Sequence, residues 1–239
     1  MFILSTFADI IWFYILVAII PAIALMIYIY RQDKIEKEPP ALLVNLAFKG
    51  VAAALISIVL EEIFQAVAPH FLTANSQMST VISAFLGVAA IEEGSKYFFL
   101  YRSTWDNPDF NYKFDAIVYA AFVSLGFAAF ENIGYVFNFG ITVAPTRAFL
   151  AIPGHLGFSV FMGYFYGRAR KMADYGHQVR KKLCLVMAYL SAVFLHGFYD
   201  SCAMLNTQES NIIFFAFVAI MYVIVILLIR HESKTDTWV

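Results

Sequence analysis

The stretch Ala89-Ala90-Ile91-Glu92-Glu93-Gly94-Ser95-Lys96-Tyr97 puts three ionisable side chains within five positions, inside an apolar run from about Val81 to Leu100. A run of that length reads as a membrane span, because roughly 20 apolar residues cross the hydrocarbon core. A charge at bilayer depth costs on the order of 2.5–3.5 kcal/mol on insertion scales, so three together demand partners and a purpose. On a helix Lys96 falls four residues after Glu92 and three after Glu93, and can partly neutralise either one. One negative charge is left over, and the question is what it is for.

The surrounding composition agrees with a membrane reading. The chain has 239 residues, 62% hydrophobic and 14% charged, with a mean hydropathy of +0.73. Soluble domains of this length do not look like that. The net charge of −1 and the dispersal of basic residues among short loops leave no nucleic-acid partner to expect. Cys184 and Cys202 fall in one apolar segment, where 18 helical residues would hold them about 27 Å apart, too far to bond. The amino-terminal apolar segment lacks a preceding basic region and is long enough to span, so it is expected to be a retained first helix.

Hydropathy predicts an all-α, polytopic transmembrane helix bundle of about seven spans: Ile10–Tyr30, Leu42–Leu60, Val81–Leu100, Phe114–Phe137, Thr146–Tyr166, Leu183–Met204 and Ile212–Ile229. Thirteen of the 16 Lys and Arg residues lie in the first, third and fifth loops and the carboxyl tail; the others are Lys49, Lys96 and Arg147. The alternate loops, Ala68–Thr80, Asn138–Pro145 and Leu205–Asn211, hold none. The positive-inside rule then sets the amino terminus outside and the carboxyl terminus in the cytoplasm. Pro39-Pro40 is expected to start span two, and the basic loop Gly167–Lys182 to contact anionic lipid. Residues 1–239 read as a single transmembrane domain with a core at about 81–204, and Gly163-x-x-x-Gly167 as a close helix-packing pair.

Polar residues recur inside later spans: Glu131-Asn132 in span four, His155 in span five, and His196 with Asp200 in span six. His196 and Asp200, four apart, share a helix face. At 1.5 Å per residue, Glu131, His155 and His196 come out roughly 9–14 Å below the outer surface, Asp200 shallower, and Glu92 roughly 17 Å down. Acids and imidazoles from four helices therefore share the outer half of the bundle. Glu61 and Glu62, at the outer end of span two, are within reach of water. Two imidazoles and carboxylates at matching depth are the ingredients of a zinc site, with Glu92 or Glu93 left as a general base. A metal-free version, in which paired glutamates activate water and His196 helps hold the oxyanion, uses the same residues.

The ordered set Glu92-Glu93-x-x-Lys96, Phe127-x-x-x-Glu131-Asn132, His155 and His196-x-x-x-Asp200 resembles the PrsW family of bacterial intramembrane proteases. The loop Arg31-Gln32-Asp33-Lys34-Ile35-Glu36-Lys37-Glu38-Pro39 is similar to that family's first loop, and the likeness runs from about residue 20 to 205. The CAAX prenyl proteases of the same clan show a similar pattern, but this chain departs from them at Lys96, Glu131 and Asp200. The resemblance implies a multi-pass protein of the bacterial plasma membrane acting in envelope stress. It implies cleavage of a single-span membrane substrate, such as an anti-sigma factor, near the extracytoplasmic side. Carried over residue by residue, it marks Glu92 and Glu93 as catalytic and Glu131, His155, His196 and Asp200 as metal ligands, with Lys96 and Asn132 in support. The cofactor expected is zinc.

Two other classes fit intramembrane acids. A proton- or ion-coupled transporter uses the same residue types, but the repeat symmetry frequent in transporters is not visible here. A seven-helix sensor of the retinal type would need a lysine in span seven, which has none.

Overall fold

Residues 114–128 are buried without a break, and a helix apolar on every face is one that neighbours surround completely. In the computed structural model, which describes residues 2–73 and 76–239, that helix stands at the centre of a helical bundle. Met1 and the pair Ala74–Asn75, inside the expected second loop, lie outside the described residues. The elements are α1 (Phe2–Gln32), α2 (Pro40–Val67), α3 (Gln77–Ile82), a π-helical segment (Ser83–Ala89), α4 (Ala90–Thr104), α5 (Asp115–Phe139), α6 (Ala144–Phe149), α7 (Ala151–Asp174), α8 (Gln178–Leu205) and α9 (Gln208–Lys234). The central helix is α5, packed against α1, α2, α4 and α7.

Small residues let those helices touch backbone to backbone. A Cβ on Gly126 of α5 would stand 2.1 Å from the Ala47 carbonyl oxygen of α2, and one on Gly50 of α2 would stand 2.0 Å from that of Val123. On the other side of α5 the Gly163/Gly167 pair of α7 makes the close approach expected of it. Cβ atoms there would fall 2.6 Å from Ile117 Cα and 2.5 Å from the Lys113 carbonyl oxygen. Lipid gives no hydrophobic push between helices, so such close packing has to supply the association. Outward-facing Trp12, Phe13, Phe48, Ile58, Phe215 and Leu227 are exposed, as a lipid-facing surface requires.

Six helices are long and apolar enough to cross a membrane: Ala8–Gln32, Pro40–His70, Asp115–Phe139, Ile141–Asp174, Gln178–Leu205 and Gln208–Lys234. The remaining expected span, Val81–Leu100, falls on the consecutive pieces α3, π segment and α4, and is not among those six. Within it the Ala90 N–H donates to the Phe85 carbonyl, one residue further back than in an α-helix. Such π turns are frequent at functional sites, and this one closely precedes Glu92 and Glu93. Pro40 opens α2 as its first residue, as expected.

The basic segment Gly167–Lys182, read from the sequence as a loop, is mostly helix. α7 runs on to Asp174 and α8 begins at Gln178, leaving a short turn. Arg170 explains part of this continuation, reaching across to donate from Nη1 to the Trp105 carbonyl at 2.6 Å. At the same end the carboxyl tail folds back. The Lys113 N–H donates to the Thr237 carbonyl (3.0 Å), and the Val239 N–H to that of Asn111 (2.9 Å).

Candidate active site

Lys96 stands at the centre of the intramembrane polar group. Its Nζ donates to Glu93 Oε1 at 2.7 Å, to Glu92 Oε2 at 3.1 Å and to His155 Nδ1 at 3.1 Å. The Phe127 ring lies under the ammonium, 4.0 Å from centroid to Nζ. The helical spacing accounts for the two contacts within α4. The third crosses to α7, and α7 is fixed in turn by Ser124 Oγ of α5, which donates to the His155 carbonyl at 3.0 Å.

From this centre two arms extend. On one, His155 Nε2 faces Glu131 Oε2 at 3.1 Å, and Arg147 Nη2 donates to that same oxygen at 2.6 Å. Arg147 Nε also donates to Asn132 Oδ1 at 2.8 Å, while Asn132 Nδ2 donates to the Ala18 carbonyl of α1 at 2.7 Å. On the other arm His196 Nδ1 lies 2.9 Å from Glu93 Oε1, and its Nε2 lies 3.3 Å from Asp200 Oδ2. The stacked ring of Phe158, 4.7 Å away, sets the plane of His196. Each histidine thus has a carboxylate on its outer nitrogen, an arrangement that fixes ring orientation.

The structure brings together all eight residues singled out in the sequence, though in unequal positions. One potential ligand atom from each of Glu92, Glu93, His155 and His196 lies within 4.8 Å of the others. Glu131 and Asp200 stand outside that inner group, each behind a histidine. Asn132 links the site to α1. Sequence reasoning gave Arg147 no part beyond orientation, yet it holds both Glu131 and Asn132 and lies over the Tyr135 ring at 3.6 Å. A signal was available, since it is a lone base close to a surface otherwise free of Lys and Arg.

A cavity of about 970 Å³ opens onto the group, lined by Glu92, Glu131, Arg147, His155, His196 and Asp200 among others. Glu61 and Glu62 of α2 contribute to its wall, as does the α6–α7 junction at Leu150 and Ala151. Glu93 (0% exposed) and Lys96 (1% exposed) lie behind the wall. Glu93 Oε2 is buried there with no hydrogen-bond partner. Two adjacent glutamates therefore have different surroundings, one facing the cavity and the other enclosed.

The inner group fits a metal ion by its chemistry. Two imidazole nitrogens and two carboxylates are borderline and hard donors of the kind zinc takes, and the orphaned Glu93 Oε2 is an oxygen in want of a partner. The Lys96 ammonium, bonded to three of the four, already holds positive charge at the same place.

Comparison with known proteins gives this chain a family. The profile described as "PrsW family intramembrane metalloprotease" matches residues 38–229. Among relatives named protease PrsW, that of Geobacillus kaustophilus is 34% identical over 75% of this chain and 75% of its own. That of Oceanobacillus iheyensis is 32% identical over 90% of this chain and 94% of its own. That of Bacillus subtilis is 33% identical over 82% and 84%. No solved structure matches. With the profile covering most of its length and its buried glutamates and histidines gathered at a cavity, this multi-pass membrane chain belongs to the PrsW family of intramembrane proteases.

Proposed function

We propose that the chain hydrolyses a peptide bond of a single-span membrane protein near the outer leaflet, with zinc held by His155, His196 and Glu93, and water activated by Glu92. The observation that carries this reading is the inner group itself, four potential ligand atoms within 4.8 Å, facing a cavity about 970 Å³ in volume. The chemistry that bound zinc supplies is Lewis acidity, which polarises an amide carbonyl and makes water a nucleophile near neutral pH.

The chain's own residues do the rest. Glu92 is on the cavity wall and can meet both water and substrate, so it takes the water proton and returns it to the leaving amine. Glu131 and Asp200 orient the two imidazoles from behind, and Arg147 holds Glu131 in place. An unfolded substrate strand reaches the site past the α6–α7 junction, where Leu150 and Ala151 line the cavity. An anti-sigma factor cut on its extracytoplasmic side is a substrate of the right topology, and envelope stress the setting that suits it.

A second reading has a specific observation in its favour. The Lys96 ammonium already neutralises the glutamates and donates to His155. In a metal-free glutamate protease it would stay there while Glu92 activated water. One experiment separates the two. Glu92→Gln and Glu93→Gln are each co-expressed with a tagged single-span substrate, and zinc is measured on the purified proteins. The proposal expects both to lose cleavage, Glu92→Gln to retain zinc, and Glu93→Gln to lose it. Cleavage unchanged in Glu92→Gln would overturn the mechanism, and wild-type protein that cleaves without zinc would move the assignment to the metal-free form.

A further inference from the structure

At the opposite end of the bundle from the cavity, the α1–α2 connection and the start of α5 bury three more carboxylates. Asp33, Glu38 and Asp115 are 1%, 3% and 1% exposed. One oxygen from each lies within 4.8 Å of the others. Asp115 Oδ2 accepts from the backbone N–H groups of Asn111 (3.0 Å) and Tyr112 (2.6 Å), and Tyr119 donates its hydroxyl to Glu38 Oε2 at 2.5 Å. Asp33 Oδ2 is buried with no hydrogen-bond partner at all.

The bases nearby form no ion pair with this cluster. Lys37 Nζ donates to the backbone carbonyls of Asp33 and Tyr30 instead of to a carboxylate. Lys113 Nζ is taken by Glu232 at 2.7 Å. Among the described residues no ion pair reaches Asp33, Glu38 or Asp115. Three buried acids, one with an orphaned oxygen, call for a positive partner, because buried charges are paired or coordinate metals. The donor set is all oxygen, which selects hard cations of the Mg²⁺, Mn²⁺ and Ca²⁺ class over zinc. Hard-cation ligand distances of about 2.0–2.6 Å allow ligand oxygens up to about 4–5 Å apart, which is the spread found here.

We propose that Asp33, Glu38 and Asp115 form a second cation site, which binds a hard divalent ion and ties the α1–α2 connection to the start of α5. The site is separate from the histidine-containing group and does not depend on that group's assignment. Its consequence reaches the carboxyl tail, because Asp236 Oδ1 accepts the Phe114 N–H at 2.9 Å, one residue before Asp115. An ion there would add to the Tyr119–Glu38 hydrogen bond that already joins the α1–α2 connection to α5.

The test uses the full chain, purified in detergent and stripped with chelator. MnCl2 is titrated in and free Mn²⁺ is followed by its paramagnetic resonance signal, with MgCl2 and CaCl2 as competitors. Wild type is expected to remove one equivalent of Mn²⁺ from the free signal, and millimolar Mg²⁺ or Ca²⁺ to release it. Asp33→Asn and Glu38→Gln are each expected to weaken binding at least tenfold, and Glu93→Gln to leave it unchanged. Either acid variant suffices, so one that fails to fold leaves the other. A thermal shift of wild type by MgCl2 alone gives a readout that needs no substitution. Wild type that takes up no Mn²⁺ and does not shift with MgCl2 would overturn the proposal, and would mean that the three acids share protons instead. Binding abolished by Glu93→Gln but kept in Asp33→Asn would also overturn it, placing the ion in the intramembrane group.

Discussion

Replacing Lys96 by methionine tests the centre of the intramembrane group. The substitution keeps length and apolar volume but removes an ammonium bonded to Glu93 (2.7 Å), Glu92 (3.1 Å) and His155 (3.1 Å). It leaves two glutamates, 5% and 0% exposed, without their main counter-ion. Breaking a buried pair from one side costs about 3–5 kcal/mol, because the stranded charge remains buried. His196 Nδ1, 2.9 Å from Glu93, takes over part of the compensation and favours the lower end, about 3 kcal/mol. For a chain of this size each kcal/mol moves the melting midpoint by about 2–4 °C, so K96M is expected to melt about 6–12 °C below wild type in chelator. The assay is intrinsic fluorescence of detergent-purified protein during heating. The double variant K96M/E93Q, which also removes the stranded charge, is expected to recover most of the loss. Zinc should stabilise K96M more than wild type, because it no longer competes with an ammonium. A K96M midpoint within about 1 °C of wild type in chelator would refute the claim that Lys96 is the counter-ion of this pair.

Five other outcomes follow from the structure. Arg147→Ala is expected to lower cleavage about 10–100-fold through the loss of its hold on Glu131, with partial recovery in Arg147→Lys; cleavage rates on a tagged substrate decide it. Asp200→Asn is expected to weaken zinc binding by about 10–100-fold, since Asp200 backs His196, which competition with a chromogenic chelator would show. Gly126→Ala drives a methyl into the Ala47 carbonyl and is expected to abolish folded protein on size exclusion. Gly134→Ala, in the same helix with nothing within 4 Å, is expected to gain about 0.5–1 kcal/mol in thermal unfolding. Burial pushes Asp33 up to about 6, with Asp236 and Glu36 adding to the rise and Lys37 opposing it, and burial pushes Glu38 up to about 7. The folded chain holds these protons more tightly than the unfolded one, so their contribution is fully present at low pH and is lost as pH rises through about 6 and then 7. In chelator the midpoint of Asp33→Asn minus that of wild type is therefore expected to grow from pH 5 to pH 8, and a difference independent of pH would contradict the burial of Asp33.

The parts of this architecture that were legible in the sequence are those with a short-range physical signature. Apolar runs marked the helices because the bilayer demands them. Gly163-x-x-x-Gly167 marked a backbone contact because only glycine permits one. Glu92, Glu93 and Lys96 declared a site because charge is costly at that depth. The pairings across helices had no such signature. Nothing in the spacing of Lys96 and His155, 59 positions apart, shows that they touch. The resemblance marked Glu131 and Asp200 as ligands, and their contacts with the Nε2 atoms of His155 and His196 depend on helix packing that local sequence does not fix. The π segment before Glu92 is invisible too, since Ser83–Ala89 contains nothing that an ordinary helix would refuse. Asp33 and Glu38 were noticed as part of a familiar loop; their burial against Asp115 depends on where α5 begins, which local sequence does not fix.

Lys96 also bears on how such a group can exist with no metal ion in it. Two carboxylates and two imidazoles held close together in a low-dielectric interior repel one another, or take up protons, unless a cation is present. A lysine from the same helix turn provides that cation as soon as α4 forms, at the fixed cost of one side chain's freedom. Its compact ammonium, on four rotatable bonds, can then withdraw from His155 more easily than a forked guanidinium could. The carboxylates left in contact with it stay neutralised, while His155 Nδ1 becomes free and, with the already orphaned Glu93 Oε2, can accept a different partner. On this argument Lys96→Arg should fold well, since the charge is kept, and yet bind zinc less readily than wild type. On the proposed zinc reading, the distinction between stability and metal loading thus rests on the shape of a single cationic side chain.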